Sequence, residues 1–130
     1  MKKVVIVFSL IVSVLSFAQT QTEMNIDSYK QYLKVDKELN VVYQKVLKKY
    51  STDKLFLKKL KIAQNLWIKF RDAEVEARFP EENKKLEYGS MYPMCVNDYF
   101  NKLTLERIKQ LKVWLNGLPE DNQSCSGSVK

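Results

Sequence analysis

The sequence predicts an all-α protein, three long helices in an antiparallel bundle with one ordered loop between the second and third helices. Two observations carry that expectation. Apolar side chains recur at three- and four-residue steps along three long stretches, the spacing of one face of a helix. The three glycines and three prolines all follow Phe79, so the first half of the chain holds none of the strong backbone punctuators. There is no internal repeat or low-complexity block, which points to one domain.

The first helix is expected from about Ile26 to Lys49, with Asp27 or Ser28 as its cap. Tyr29, Tyr32, Leu39, Tyr43, Val46 and Tyr50 form its stripe, interrupted by the carboxylate of Asp36. Ser51, Thr52 and Asp53 are all good N-cap residues, so they end this helix and cap the next. The second helix, about Asp53 to Phe79, carries Phe56, Leu60, Ala63, Trp67, Phe70 and Ala77, with Glu74 where the period wants an apolar group. Pro80 stops it.

Glu81 to Pro93 is too polar and too broken to continue a helix and reads as the ordered loop. The third helix, from Met94 or Val96 to Asn116, aligns Tyr99, Leu103, Ile108, Leu111 and Trp114, with Arg107 among them, and Gly117 and Pro119 end it. A polar tail follows from about residue 117. The short turn between the first two helices makes them antiparallel neighbours.

The N-terminus reads as an export signal, a signal peptide of residues 1–18. Lys2 and Lys3 precede an apolar run from Val4 to Leu15, and Ser16-Phe17-Ala18 has the small, any, small pattern of a cleavage site. The run is shorter than the roughly 20 residues of a permanent membrane span, although an uncleaved anchor is the competing reading. No cysteine follows the cleavage site, which excludes lipid attachment there. Cleavage leaves residues 19–130 as a single domain with a periplasmic or secreted location and no membrane span. Without Lys2 and Lys3 the net charge falls from +7 to +5, since 20 Lys and Arg then face 15 Asp and Glu. A basic surface suits anionic wall polymers or headgroups, with Lys48-Lys49, Lys58-Lys59-Lys61 and Lys84-Lys85 as its clusters. Export argues against nucleic acid as the partner.

Cys95 and Cys125 meet an oxidising environment after export, so a disulfide between them is the default. The helix beyond Cys95 rises about 30 Å, and the tail spans that distance only if it runs back nearly straight. Two free thiols or an intermolecular link are the alternatives.

Catalytic templates fail at the inventory, because the chain has no histidine and so no Ser-His-Asp or Cys-His pair. No metal or other cofactor is expected. Asp36 and Glu74 are candidates for acid and base on a glycosidic bond, but the favoured reading pairs them with Arg71 and Arg107 in a structural ion network inside the bundle. An enzyme is therefore the last-ranked expectation. In the loop, Tyr88, Met91, Tyr92 and Met94 lie beside Gly89, Ser90 and Pro93, where no helix stripe demands them. Such residues in an irregular segment favour protein recognition, although a loop that merely folds onto the bundle end has the same composition. Glu81, Glu82 and Glu87 add an acidic edge.

Four blocks carry a family resemblance. They are Glu38-Leu39-Asn40-x-x-Tyr43, Ala63-Gln64-x-x-Trp67-x-x-Phe70-Arg71-Asp72-Ala73-Glu74, Gly89-Ser90-x-Tyr92-Pro93-Met94, and Leu103-Thr104-x-x-Arg107-x-x-x-Leu111. In that order the chain resembles the LprI-type lysozyme inhibitor domain, a group of small exported bacterial helical proteins. The resemblance implies an all-helical fold, a periplasmic or surface location and a protein partner, a lysozyme for the named member. Members commonly carry a cysteine after the Arg-Asp-Ala-Glu block and another before the Leu-Thr block; here Val75 and the neighbourhood of Tyr99 stand there, so that family disulfide does not transfer. The expected function is an exported envelope protein that binds another protein through the Glu81 to Met94 loop. The alternative is an accessory protein on peptidoglycan or an envelope protein, without inhibitory activity.

Overall fold

The computed structural model describes the backbone of residues 2–130 and the side chains of 20–120 and 124–130. The fold is all-α, with no strand among the described residues. Helix α1 spans Lys2–Lys49, α2 Lys54–Arg78, α3 Lys84–Tyr88 and α4 Tyr92–Asn116, followed by a 3-10 turn at Glu120–Cys125. The first helix was expected to begin at Ile26 and instead reaches back to Lys2, because no glycine or proline interrupts the chain before it. The leader and its cleavage site lie outside the residues whose side chains are described.

The core forms where α1 and α4 run side by side in the same direction, since α2 carries the chain back between them: Ser28 meets Asn97 near their starts and Lys49 meets Trp114 near their ends. Val35, Leu39, Val42 and Val46 from α1 and Tyr50 just beyond it bury against Ile108 and Leu111 of α4, with Phe56 and Leu60 of α2 closing the third side. The period of α1 is the expected one, but the buried face is turned so that Val35 and Val42 replace Asp36 and Tyr43 at its centre. Valines allow α4 to lie close against α1, and tyrosines in those places would hold it away. Tyr29 consequently faces solvent.

Further from the α1–α2 turn, the same seam becomes polar. Gln21, Asn25 and Ser28 of α1 continue the three-four spacing, as do Asn97, Asn101 and Thr104 of α4. The Asn97 side-chain amide donates to Ser28 Oγ at 3.0 Å, and Ser28 Oγ donates to the Asn25 carbonyl at 2.8 Å. Asn101 Oδ1 and Thr104 Oγ1 are buried with no hydrogen-bond partner among the described residues.

The opposite end, at the α1–α2 turn, is aromatic and closed. Tyr50, Phe56 and Trp114 gather with ring centroids 4.5 to 6.0 Å apart. The Asp53 carboxylate caps α2 by accepting from the Phe56 amide at 3.0 Å. The Lys49 ammonium donates to the Trp114 and Leu115 carbonyls at 3.0 and 3.1 Å, satisfying the C-terminal end of α4. The Lys130 amide donates to Tyr50 Oη at 2.9 Å, so the last residue is held at this same end.

That placement accounts for the cysteines, which are unpaired, Cys95 half-buried and Cys125 exposed. The expected bridge needed a tail running back along α4. The tail instead coils into a 3-10 turn and stays near Tyr50, while Cys95 sits at the start of α4, about 30 Å away at 1.5 Å per helical residue.

Candidate functional site

α2 meets its neighbours through long polar side chains more than through an apolar seam. It doubles back after the turn as expected, yet its closest backbone approach is to α4. Towards α1, Arg71 reaches Asp36 at 3.6 Å and also holds its neighbour Asp72 at 2.9 Å. Towards α4, Arg107 Nε donates to Gln64 Oε1 at 3.0 Å, and Tyr99 Oη donates to Glu74 Oε2 at 3.2 Å. Rings complete the shell, with the Arg71 guanidinium 5.3 Å from the Trp67 centroid and 5.1 Å from that of Phe100.

Of the four residues expected to form one ion network, the structure joins only Asp36 and Arg71. Glu74 is held by a tyrosine, and Arg107 meets the amide oxygens of Gln64 and Gln110 instead of a carboxylate. The reason is geometric: Gln64 stands between Leu60 and Trp67 on the inward face and intercepts Arg107. Burial pushes the Arg107 guanidinium below its ordinary value, with Tyr43 beside it acting the other way. Burial likewise raises the phenols of Tyr43 and Tyr32 above the ordinary 10.0, opposed by Arg107 and Arg71 respectively. Sequence reasoning missed Gln64 by looking for apolar or charged groups; the signal was its position, four after Leu60 and three before Trp67.

Because α2 stands off from α1, a cleft of about 370 Å³ opens between them, bordered by Asp36, Tyr43, Lys61 and Arg71. Asp36 borders it and Glu74 does not, so the two carboxylates share no common space in which one would act as acid and the other as base. A larger, open furrow of about 570 Å³ lies along α1 alone, between Leu33, Val41 and a row of lysines. Among the described residues no group of three or more metal-ligating side chains comes together.

The loop is a built element. Asn83 accepts from the Leu86 amide at 3.2 Å and starts the one-turn α3 inside what reads as irregular sequence. Gly89 ends that turn at φ 70°, a backbone conformation that glycine adopts without strain. Phe79, Tyr88 and Tyr92 pack together with centroids 5.3 to 5.6 Å apart, and Tyr88 Oη accepts from the Glu81 amide at 3.3 Å. The Lys84 ammonium binds Glu76 at 3.1 Å and the Phe79 carbonyl. Asn25 of α1 donates to the Ser90 carbonyl at 3.0 Å and pins the loop to the polar end of the bundle.

The expected loop residues thus divide. Tyr88, Tyr92 and Met94 are half-buried and hold the loop together, whereas Glu81, Glu82, Glu87, Gly89, Ser90, Met91 and Pro93 face solvent. Leu86, which the sequence reading passed over, is 75% exposed, between Lys85 and Glu87 in the chain.

Two comparisons bear on kinship. An uncharacterized protein of Rhizobium meliloti (strain 1021) is 34% identical over 106 residues, covering 73% of each chain. No solved structure matches. The inward residues of the most specific block, Gln64, Trp67, Arg71 and Glu74, are the ones that attach α2 to the α1–α4 pair. The family description "Lysozyme inhibitor LprI" matches residues 15–111, from within α1 through α2 and the loop to the last buried leucine of α4, so the chain belongs to that family.

Proposed function

We propose that the chain is exported, cleaved after Ala18, and acts by binding a protein of the envelope or its surroundings, a lysozyme, through the loop at residues 81–94. The observation that carries this reading is the exposed Leu86 on a braced loop that also presents Glu81, Glu82 and Glu87 to solvent. An apolar anchor held rigid by the Phe79–Tyr88–Tyr92 cluster is ordered before binding, which lowers the entropic cost of association. Against Lys84 and Lys85, the three glutamates give residues 81–94 a net charge of −1 in an otherwise basic chain, the sign that complements a basic wall hydrolase. Family membership supports the inhibitor role, and binding alone accomplishes it, without a cofactor or a chemical step.

The test is a cell-wall lysis assay with several lysozymes, titrated with purified protein. Inhibition at micromolar concentration is expected, weakened about 30-fold or more by Leu86→Asp, as for loss of a central anchor. No effect on any lysozyme eliminates the inhibitor reading. Cell fractionation with N-terminal sequencing checks export; the mature chain should begin at Gln19.

A second reading is favoured by the furrow on α1. Lys37, Lys45 and Lys48 border it, and such a basic strip would hold an anionic wall polymer in a salt-sensitive manner. Retention on purified wall that vanishes at high salt, together with absent lysozyme inhibition, would favour an accessory role.

A further inference from the structure

The sequence-derived stripe on α2 includes residues that the bundle does not bury. Besides its inward face, α2 carries a second apolar face of Leu55, Ile62, Leu66 and Phe70, which are 69%, 48%, 59% and 54% exposed. Ala63, Ala73 and Ala77, also exposed, fill the same side. At 100° per residue these positions fall within about 100° of arc, a continuous strip along the helix. Single exposed leucines are ordinary, but an aligned row of four large side chains is the pattern of a helix that packs on another helix.

We propose that this face pairs with the same face of a second copy of the chain, two α2 helices lying antiparallel about a two-fold axis at Leu66. That register sets large residues against one another around the axis and against small ones towards the ends. Leu66 meets the partner's Leu66, Ile62 meets the partner's Phe70, and Leu55 meets the partner's Ala77. The exposed Lys59 and Lys69 meet the partner's Ala73 and the partner's Ala63, over which their aliphatic stems lie.

Charge selects the antiparallel direction. Residues 54–65 carry Lys54, Lys58, Lys59 and Lys61 with no acid, while the following half carries Asp72, Glu74 and Glu76. The basic side chains of that second half are largely occupied: Arg71 faces Asp36, and the Arg78 guanidinium lies 4.4 Å from the Tyr99 centroid. Asp72 and Glu76, although paired with Arg71 at 2.9 Å and Lys84 at 3.1 Å, remain more than half exposed on the flank that Lys58 shares. A parallel pair would stack four lysines on four, whereas the antiparallel pair brings Lys58 beside the partner's Glu76.

The strip from Leu55 to Ala77 is about 33 Å long and about 10 Å wide, less than the roughly 800 Å² per partner of a standard interface. The association is therefore weak, with a Kd on the order of 1 to 100 µM. It leaves the loop at residues 81–94 free, and it does not depend on the lysozyme reading.

Sedimentation velocity of the exported chain, across a concentration series to about 500 µM, tests it. A concentration-dependent dimer is expected. Leu66→Lys, on the axis and exposed in the single chain, should weaken it about 30-fold or more while leaving the circular dichroism spectrum unchanged. Lys58→Glu should also weaken it, and adding Glu76→Lys in the same chain should restore it, because each copy then supplies both reversed charges. A chain that stays monomeric at every concentration overturns the proposal, as does a dimer indifferent to Leu66→Lys or a Lys58→Glu defect that Glu76→Lys leaves unrepaired.

Discussion

Tyr32 and Tyr43 flank the core without entering it, and burial holds back the ionisation of their phenols in alkali. Both are raised above 10.0, chiefly by burial. The unfolded chain then loses these protons at lower pH than the folded one, so their contribution to stability is complete below about pH 10 and is lost as pH rises through the folded values. Urea midpoints compared at about pH 8 and about pH 10.5 should fall for the native chain. The Tyr32→Phe, Tyr43→Phe double variant should show a smaller fall. An identical fall in both would mean that neither phenol is withheld from ionisation by its surroundings.

The helices α2 and α4 follow their punctuation. Asp53 caps where three cap residues stand in a row, and Gly117 closes α4 where glycine precedes proline by two. Replacing Asp53 by Ala should cost about 1 kcal/mol, the usual value of an N-cap side chain, read as a lower thermal midpoint. What periodicity does not settle is which of two adjacent apolar faces turns inward. On α1 the choice went to Val35 and Val42 over Tyr43, and on α2 to Gln64 and Val75 over Phe70 and Ala77. Both outcomes depend on how near α4 lies, a distance that no single segment encodes. The one-turn α3 was hidden for a different reason. Five residues are too few for a period, and only Asn83 before them and Gly89 after them mark the ends. The loop residues were legible as a group, while Leu86 needed coordinates to separate it from the tyrosines that brace it.

At the scale of the molecule, hydrophobic packing and the C-terminal contacts hold the fold without a covalent staple. The two thiols stand at opposite ends, so a reducing agent should leave the thermal midpoint unchanged; a clear drop would reveal a bridge that the tail's position does not allow.

The change in character along the α1–α4 seam has a dynamic result. Amides near Val42, Val46, Ile108 and Leu111 are enclosed by apolar side chains, whereas those near Gln21, Ser28, Asn97 and Asn101 are enclosed by amides and hydroxyls, and the buried Asn101 Oδ1 and Thr104 Oγ1 have no partner among the described residues. Deuterium uptake measured by mass spectrometry should therefore be slower in 39–50 and 106–115 than in 21–32 and 95–104. The bundle is in effect a clamp with a firm heel and a yielding tip. The loop rides on the tip, so a partner seated there would tighten a segment that breathes in isolation, and its arrival would be recorded as lost deuterium far from any surface it touches.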